Sequence, residues 1–172
     1  HFDLLVIDEA GQAQEPEALA PIATLWTPGV QLLLAGDPKQ LGPVIHNGHA
    51  QTHGLAVSML ERLMKRALYS RTDAASHGGY DGRVLTKLLQ NYRSHDALLH
   101  LPNRLFYEGE LVACAERALK EHCAAWDRLP TRGTPLLFHG VCGKDQREAN
   151  SPSWFNADEC VVVLDYVRDL LA

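Results

Sequence analysis

Apolar positions in this chain fall in short continuous runs, punctuated by acidic residues, glycine and proline. His1-Phe-Asp-Leu-Leu-Val-Ile7 is nearly continuous and predicts a buried parallel strand. Glu15-Pro16-Glu17-Ala18-Leu19-Ala20 predicts a helix start, with proline in the first turn and acids at the positive end of the dipole. Thr27-Pro28-Gly29 is a turn, and Val30-Gln-Leu-Leu-Leu-Ala35 a second buried strand. That strand ends in Gly36-Asp37-Pro38-Lys39-Gln40-Leu41-Gly42-Pro43, where glycine and proline forbid regular structure. Strand, helix, strand, with both strands apolar throughout, predicts a βαβ unit in a covered parallel sheet, hence an α/β fold.

The period changes downstream. Val57, Leu60, Leu63, Met64 and Ala67 share one helical stripe, which predicts a helix over Leu55–Arg66. Residues 70–82 read as a loop, Arg83–Gln90 as a further strand, and a helix runs from about Asp96 with Leu98, Leu101 and Leu105 on its buried side. Pro102 inside that pattern is expected to kink or interrupt it. The stretch from Glu108 to Arg132 is weakly patterned, Pro135–Val141 predicts a short strand, and Gly143–Ser153 a polar loop. Asn156 caps a last helix, with Glu159 three residues on and a stripe of Cys160, Val163, Leu164, Val167, Leu170 and Leu171.

Composition narrows the class. The 172 residues allow one domain, or one and part of another, and 46% apolar with 22% charged is globular composition with enough chain for a core. The net charge of −5 is spread evenly: residues 1–90 carry seven basic and nine acidic side chains, residues 91–172 nine and twelve. A uniformly basic nucleic-acid binder is excluded; a binder with a local groove is not. No apolar run approaches eighteen residues, so no transmembrane helix is expected, and no leader precedes the first strand. A central strand at the first residue reads as an internal fragment of a longer protein. Cys114, Cys123, Cys142 and Cys160 fit neither a zinc pattern nor a disulfide scaffold and read as reduced thiols of an intracellular protein. The nine histidines read as surface or hydrogen-bonded residues, with no helical pair one turn apart expected.

Three places carry candidate chemistry. Asp8-Glu9 follows a buried strand, at the sheet edge where open α/β folds bind ligands. One carboxylate there can hold Mg²⁺ against nucleotide phosphates and the other can orient a water; alone, the pair reads better as two solvated acids. Gln40 lies in the loop after the neighbouring strand and offers a donor and an acceptor to a terminal phosphate or its water. Arg93 follows the predicted strand Arg83–Gln90 and could neutralise a transferring phosphoryl group; alone, it reads as a surface arginine. Trp26, Trp126 and Trp154 show no interleaving with basic residues and read as packing.

Together, Asp8-Glu-Ala-Gly-Gln12, Gly36-Asp-Pro-Lys-Gln-Leu-Gly-Pro43 and Gln90-Asn-Tyr-Arg-Ser-His95 resemble motifs II, III and IV of superfamily 1 helicases. Pro102–Leu111 and Ser153-Trp-Phe-Asn-Ala-Asp-Glu159 resemble the up-frameshift-like branch, nearest the Moloney-leukaemia-virus-10-like RNA helicases and their germ-cell, piRNA-pathway members. The resemblance covers almost the whole chain, residues 70–82 and 112–132 least. It implies two RecA-like parallel sheets with flanking helices. Residues 1–90 would complete the first RecA-like domain and residues 91–172 begin the second. It implies ATP and Mg²⁺ as cofactors, with Asp8 holding the metal, Glu9 polarising the hydrolytic water, Gln40 sensing the γ-phosphate, Arg93 reaching it from the second domain and Tyr92 flanking the nucleotide. It further implies single-stranded RNA as substrate, 5′ to 3′ translocation, a role in RNA silencing or decay beside Argonaute/Piwi-type proteins, and a cytoplasmic, granule-associated location.

One part of the pattern is missing. No G-x-x-x-x-G-K-[ST] run occurs in the 172 residues, so the phosphates would lack their backbone cradle and lysine. The 172 residues alone are therefore expected not to hydrolyse ATP, while a longer parent would. A superfamily 1 DNA helicase and an inactive nucleic-acid-associated scaffold stand as alternatives. No RNA-contacting residue is nominated.

Overall fold

Leu4–Ile7 (β1) and Gln31–Leu34 (β2) pair in parallel, Leu4 opposite Gln31 and Ile7 opposite Leu34, with Glu15–Leu25 (α1) as the crossover. The computed structural model describes residues 1–71 and 79–172, and divides into the units His1–Leu88 and Leu89–Ala172. The expected loop at residues 70–82 lies mostly outside the described residues. The first unit is the βαβ unit that the two apolar runs predict. α1 starts where Pro16 and the acids place it, and the Gln14 N–H donates to Glu17 Oε2 at 3.0 Å.

The expected cover over this sheet is incomplete among the described residues: Leu5, Ile7, Leu32 and Leu34 are half-buried, and the alternate positions are not. The sheet has two strands, so each is an edge, and Leu4, Val6 and Leu33 are each about half exposed. Among the described residues the buried apolar side chains are Ala10, Ala18, Val30 and Ala115, which makes the core small where composition allowed a larger one.

After β2 the chain passes through a short helix, Gly48–Ala50 (α2), and a π-helical turn, Gln51–Leu55, before Met59–Met64 (α3). The helix expected over Leu55–Arg66 is thus shorter and starts later. Ser58, almost fully buried, fixes its start by accepting from the Glu61 N–H at 3.1 Å, and the Leu63 carbonyl accepts from Arg66 as the helix ends.

The second unit begins with Gln90–Asn91 (β3), parallel to Val112–Ala113 (β4). Asp96–Phe106 (α4) continues through Pro102 rather than stopping there, capped at its start by His95, whose Nδ1 accepts from the Ala97 N–H at 3.1 Å. Arg117–Lys120 (α5) follows, then an antiparallel hairpin of Asp145–Arg147 (β5) and Trp154–Asn156 (β6), and Ala157–Leu171 (α6). Asn156 caps α6 as expected, its Oδ1 accepting from the Asp158 and Glu159 N–H groups at 3.1 and 3.2 Å.

Two expected strands do not form. Only Gln90 of the run Arg83–Gln90 enters a strand, and Pro135–Val141 has no strand partner. Leu88 and Phe138 are 88% and 92% exposed, so these runs are apolar without a sheet to receive them. Conversely, the hairpin β5–β6 lies partly in a stretch read as polar loop. The weakly patterned stretch before residue 132 is tied to α6 by polar and ring contacts: Trp126 Nε1 donates to Asp169 Oδ2 at 2.7 Å, its ring meets that of Tyr166 edge-on, and Arg128 pairs with Asp165 at 2.6 Å while lying over the Tyr166 ring.

Candidate nucleotide-facing site

Parallel pairing brings the carboxyl ends of β1 and β2 side by side, and therefore the loops that follow them. The ladder runs on past both strands: Ala35 N–H donates to the Ile7 carbonyl at 2.9 Å and Ala10 N–H to the Ala35 carbonyl at 2.8 Å. Beyond this point the two backbones touch. A Cβ added to Gly11 would lie 2.8 Å from the Asp37 carbonyl oxygen, and one added to Gly36 would lie 2.8 Å from the Gly11 nitrogen and 3.2 Å from Leu60 Cδ2. Both positions require glycine for lack of space. Asp8-Glu9 and the loop carrying Gln40 are thus held in one assembly by main-chain contact.

Within it, each side chain is set locally. Asp8 Oδ1 accepts from the Glu9 N–H at 3.0 Å. Glu9 takes a left-handed backbone (φ 51), which turns the chain sharply out of the strand, and its carboxylate accepts from Gln12 Nε2 at 3.3 Å. Both carboxylates are exposed at the strand end. In the second loop, Asp37 Oδ1 accepts from the Lys39 N–H and Oδ2 from Gln40 Nε2, each at 2.9 Å. Sequence reasoning did not single out Asp37, Gly11 or Gly36. Gly-Asp-Pro was a legible signal for the first, since aspartate before proline caps its own turn.

Behind these loops stands α3. Arg62 grips Glu15, at the start of α1, with Nε to Oε2 at 2.7 Å and Nη2 to Oε1 at 2.5 Å. This hydrogen-bonded guanidinium holds the Glu15 carboxyl below its ordinary value against the opposing effect of burial.

Tyr92 and Arg93 belong to the second unit, directly after β3. Asn91 Oδ1 accepts from the N–H groups of Arg93 and Ser94 at 3.0 and 2.8 Å, a turn that fixes the backbone carrying the guanidinium. Both side chains are exposed, and the Tyr92 hydroxyl donates to Gln90 Oε1. Arg93 lies in this turn rather than after a long strand, and α4 starts at Asp96.

Two expectations about side chains are corrected. His49 and His53 do form a pair one turn apart, ring centroids 4.1 Å from each other, because the chain coils at Gly48–Leu55. No group of three or more metal-ligating side chains occurs among the described residues. Arg147 lies over the exposed ring of Trp154, which pairing across the β5–β6 hairpin places opposite it, so one tryptophan does meet a basic residue. The four cysteines are free. No helix among the described residues is long and apolar enough to cross a membrane.

Family models described as AAA domain match residues 1–48 and 55–172. RNA helicase Mov10l1 of Homo sapiens is 51% identical over 168 residues, covering 96% of this chain and 14% of that protein. Its counterpart in Mus musculus is 50% identical over the same shares. The Drosophila melanogaster protein named "Probable RNA helicase armi" is 37% identical over 92% of this chain and 14% of its own length. The chain thus spans about a seventh of the length of these relatives. AAA domains of helicases have the P-loop NTPase, RecA-like type of fold, and small parallel sheets with helices fit it. The chain belongs to the AAA domain family and, within it, to the Moloney-leukaemia-virus-10-like helicases of superfamily 1.

Proposed function

We propose that this chain is the nucleotide-facing part of an ATP-dependent RNA helicase, spanning the end of one RecA-like domain and the start of the next. The observation that carries the reading is the main-chain contact between the Asp8-Glu9 loop and the Gln40 loop at the carboxyl ends of adjacent parallel strands. Two acids and an amide, brought to one edge by the fold, match what phosphoryl transfer to water needs: a carboxylate for a cation, a carboxylate for the water and a neutral group at the terminal phosphate.

The Asp8 carboxylate suits a hard cation, being exposed, oxygen-only and engaged through Oδ1 alone among the described residues. A Mg²⁺ ion held by Asp8 would supply positive charge against the phosphates. Glu9 accepts a proton from the attacking water, its carboxylate oriented by Gln12. Gln40 contacts the terminal phosphate or its water, the Oε1 end accepting from the water. The family resemblance assigns Arg93, whose backbone Asn91 sets, to the phosphate charge and Tyr92 to a place flanking the nucleotide. RNA as substrate rests on the names of the relatives. Argonaute/Piwi-type partners, 5′ to 3′ movement, a part in RNA silencing and a cytoplasmic, granule-associated location are carried by the family resemblance.

The test is RNA-stimulated ATPase activity of the full-length protein, wild type beside Glu9→Gln. Loss of at least about a hundredfold in kcat with ATP binding retained is expected. Equal activity would leave Asp8-Glu9 as strand-end acids. Unwinding of a tailed DNA duplex but not the matched RNA would assign the enzyme to DNA.

A further inference from the structure

We propose that Asp37 is a positioning residue that fixes which face of the Gln40 amide is presented to the nucleotide; this rests on the reading of Gln40 given above. Each oxygen of the carboxylate is engaged by a donor of its own loop. Oδ1 accepts from the Lys39 N–H at 2.9 Å and so shapes the turn. Oδ2 accepts from Gln40 Nε2 at 2.9 Å. A carboxylate only accepts, so the nitrogen of the amide must be the atom that faces it, and the Oε1 end is directed away, an acceptor suited to the water beside the terminal phosphate and not to the phosphate oxygens themselves. A glutamine without such a partner can present either end.

The place of Asp37 makes this consequential. Its own carbonyl oxygen is the atom that Gly11 approaches, with 2.8 Å between that oxygen and an added Cβ, and it also accepts from the Gln40 N–H at 3.3 Å. The residue that pins the Gln40 side chain is therefore the one whose backbone abuts the loop of Asp8-Glu9. Movement of the first loop against the second reaches Gln40 through Asp37, by backbone contact on one side and side-chain contact on the other.

The chemistry yields an ordering that a merely structural role would reverse. In Asp37→Asn the side-chain oxygen is still claimed by the Lys39 N–H, so the new NH₂ faces Gln40 and turns its amide round. In Asp37→Ser the hydroxyl can still cap the turn but cannot reach Gln40, whose amide is then free rather than inverted. The near-isosteric asparagine should be the more damaging change.

In the full-length protein, Asp37→Asn is expected to lower RNA-stimulated kcat at least about tenfold and Asp37→Ser about threefold, with KM for ATP within about twofold in both. On a Gln40→Ala background, Asp37→Asn should lower kcat by no more than about a further twofold. Asparagine equal to wild type, asparagine milder than serine, or full multiplication of the Asp37 and Gln40 effects would each overturn the proposal. Glu9→Gln measured alongside separates the two failures. If it is inactive while Asp37→Asn is normal, the ATPase reading stands and the role of Asp37 falls. If it is as active as wild type, the ATPase reading falls and takes this role with it. Thermal unfolding of each variant shows whether either change acts through loss of folding instead.

Discussion

Asn103 holds Leu111 from both sides, donating from Nδ2 to its carbonyl and accepting its N–H at Oδ1, each at 2.9 Å. Seven residues, 104–110, lie between the two, and they include two consecutive residues with left-handed backbone. Glu108 and Gly109 both have positive φ, 58 and 76, and the Gly109 N–H returns to the Asn103 carbonyl at 3.0 Å. One amide thus closes the connection from α4 to β4. Asn103→Ala leaves a part-buried N–H and C=O without partners and should cost about 2 kcal/mol. Asn103→Asp should cost a similar amount, since it restores the acceptor but removes the donor. Urea denaturation of the protein and both variants reads this directly, and no loss in either would show that Leu111 is held by other contacts.

The loop contact at the candidate site makes a prediction about volume alone. Gly11→Ala and Gly36→Ala each place a methyl group 2.8 Å from main-chain atoms, which cannot swing aside as a side chain could. Each should destabilise by roughly 1–3 kcal/mol and lower ATPase activity, because the strain must be relieved by parting the two loops. Gly48→Ala is the control: nothing lies within 4 Å of the added atom, and α2 starts there. It should be neutral or slightly stabilising. If Gly11→Ala matches that control in stability and rate, the loops are not held by this contact.

How far the sequence could be read depended on whether a residue's partner was local. β1, α1 and β2 were legible because two apolar runs flank a helix that Pro16, Glu15 and Glu17 mark, and the crossover rule then sets the pairing. Asn156 was legible as a cap because its partners are two and three residues away. The expected strands at Arg83–Gln90 and Pro135–Val141 failed because an apolar run permits a strand but a partner makes one. Gln90 and Asn91 find that partner in Val112 and Ala113, and the exposed Leu88 and Phe138 do not. The site divides in the same way. Asp8, Glu9, Gln40 and Arg93 stand out as residue types in a spaced pattern. Asp37, Gly11 and Gly36 matter through contact between loops, which no single window of sequence displays.

A last prediction concerns Asp81, whose turn with Arg83 can be tested without any ligand. Asp81 accepts the Arg83 backbone N–H at 3.0 Å and the guanidinium at 2.6 Å, and these bonds lower its carboxyl from the ordinary 3.8 to about 2. The side-chain bond is the larger cause and the backbone bond the next. The sign follows from the folded value lying below the unfolded one. The contact stabilises the folded protein fully above the unfolded value near 3.8, and that contribution is lost as pH falls through about 2. Arg83→Ala removes the guanidinium but leaves the backbone N–H. The Asp81 carboxyl should then titrate between about 2 and 3.8, nearer the upper value, when followed by its carboxyl carbon resonance. Above pH 5 the stability-against-pH curve should keep its slope and lie lower in the variant, because the contribution removed is constant there. A carboxyl that titrates near 2 in both proteins would mean that the guanidinium bond contributes nothing and that the backbone N–H alone sets the value.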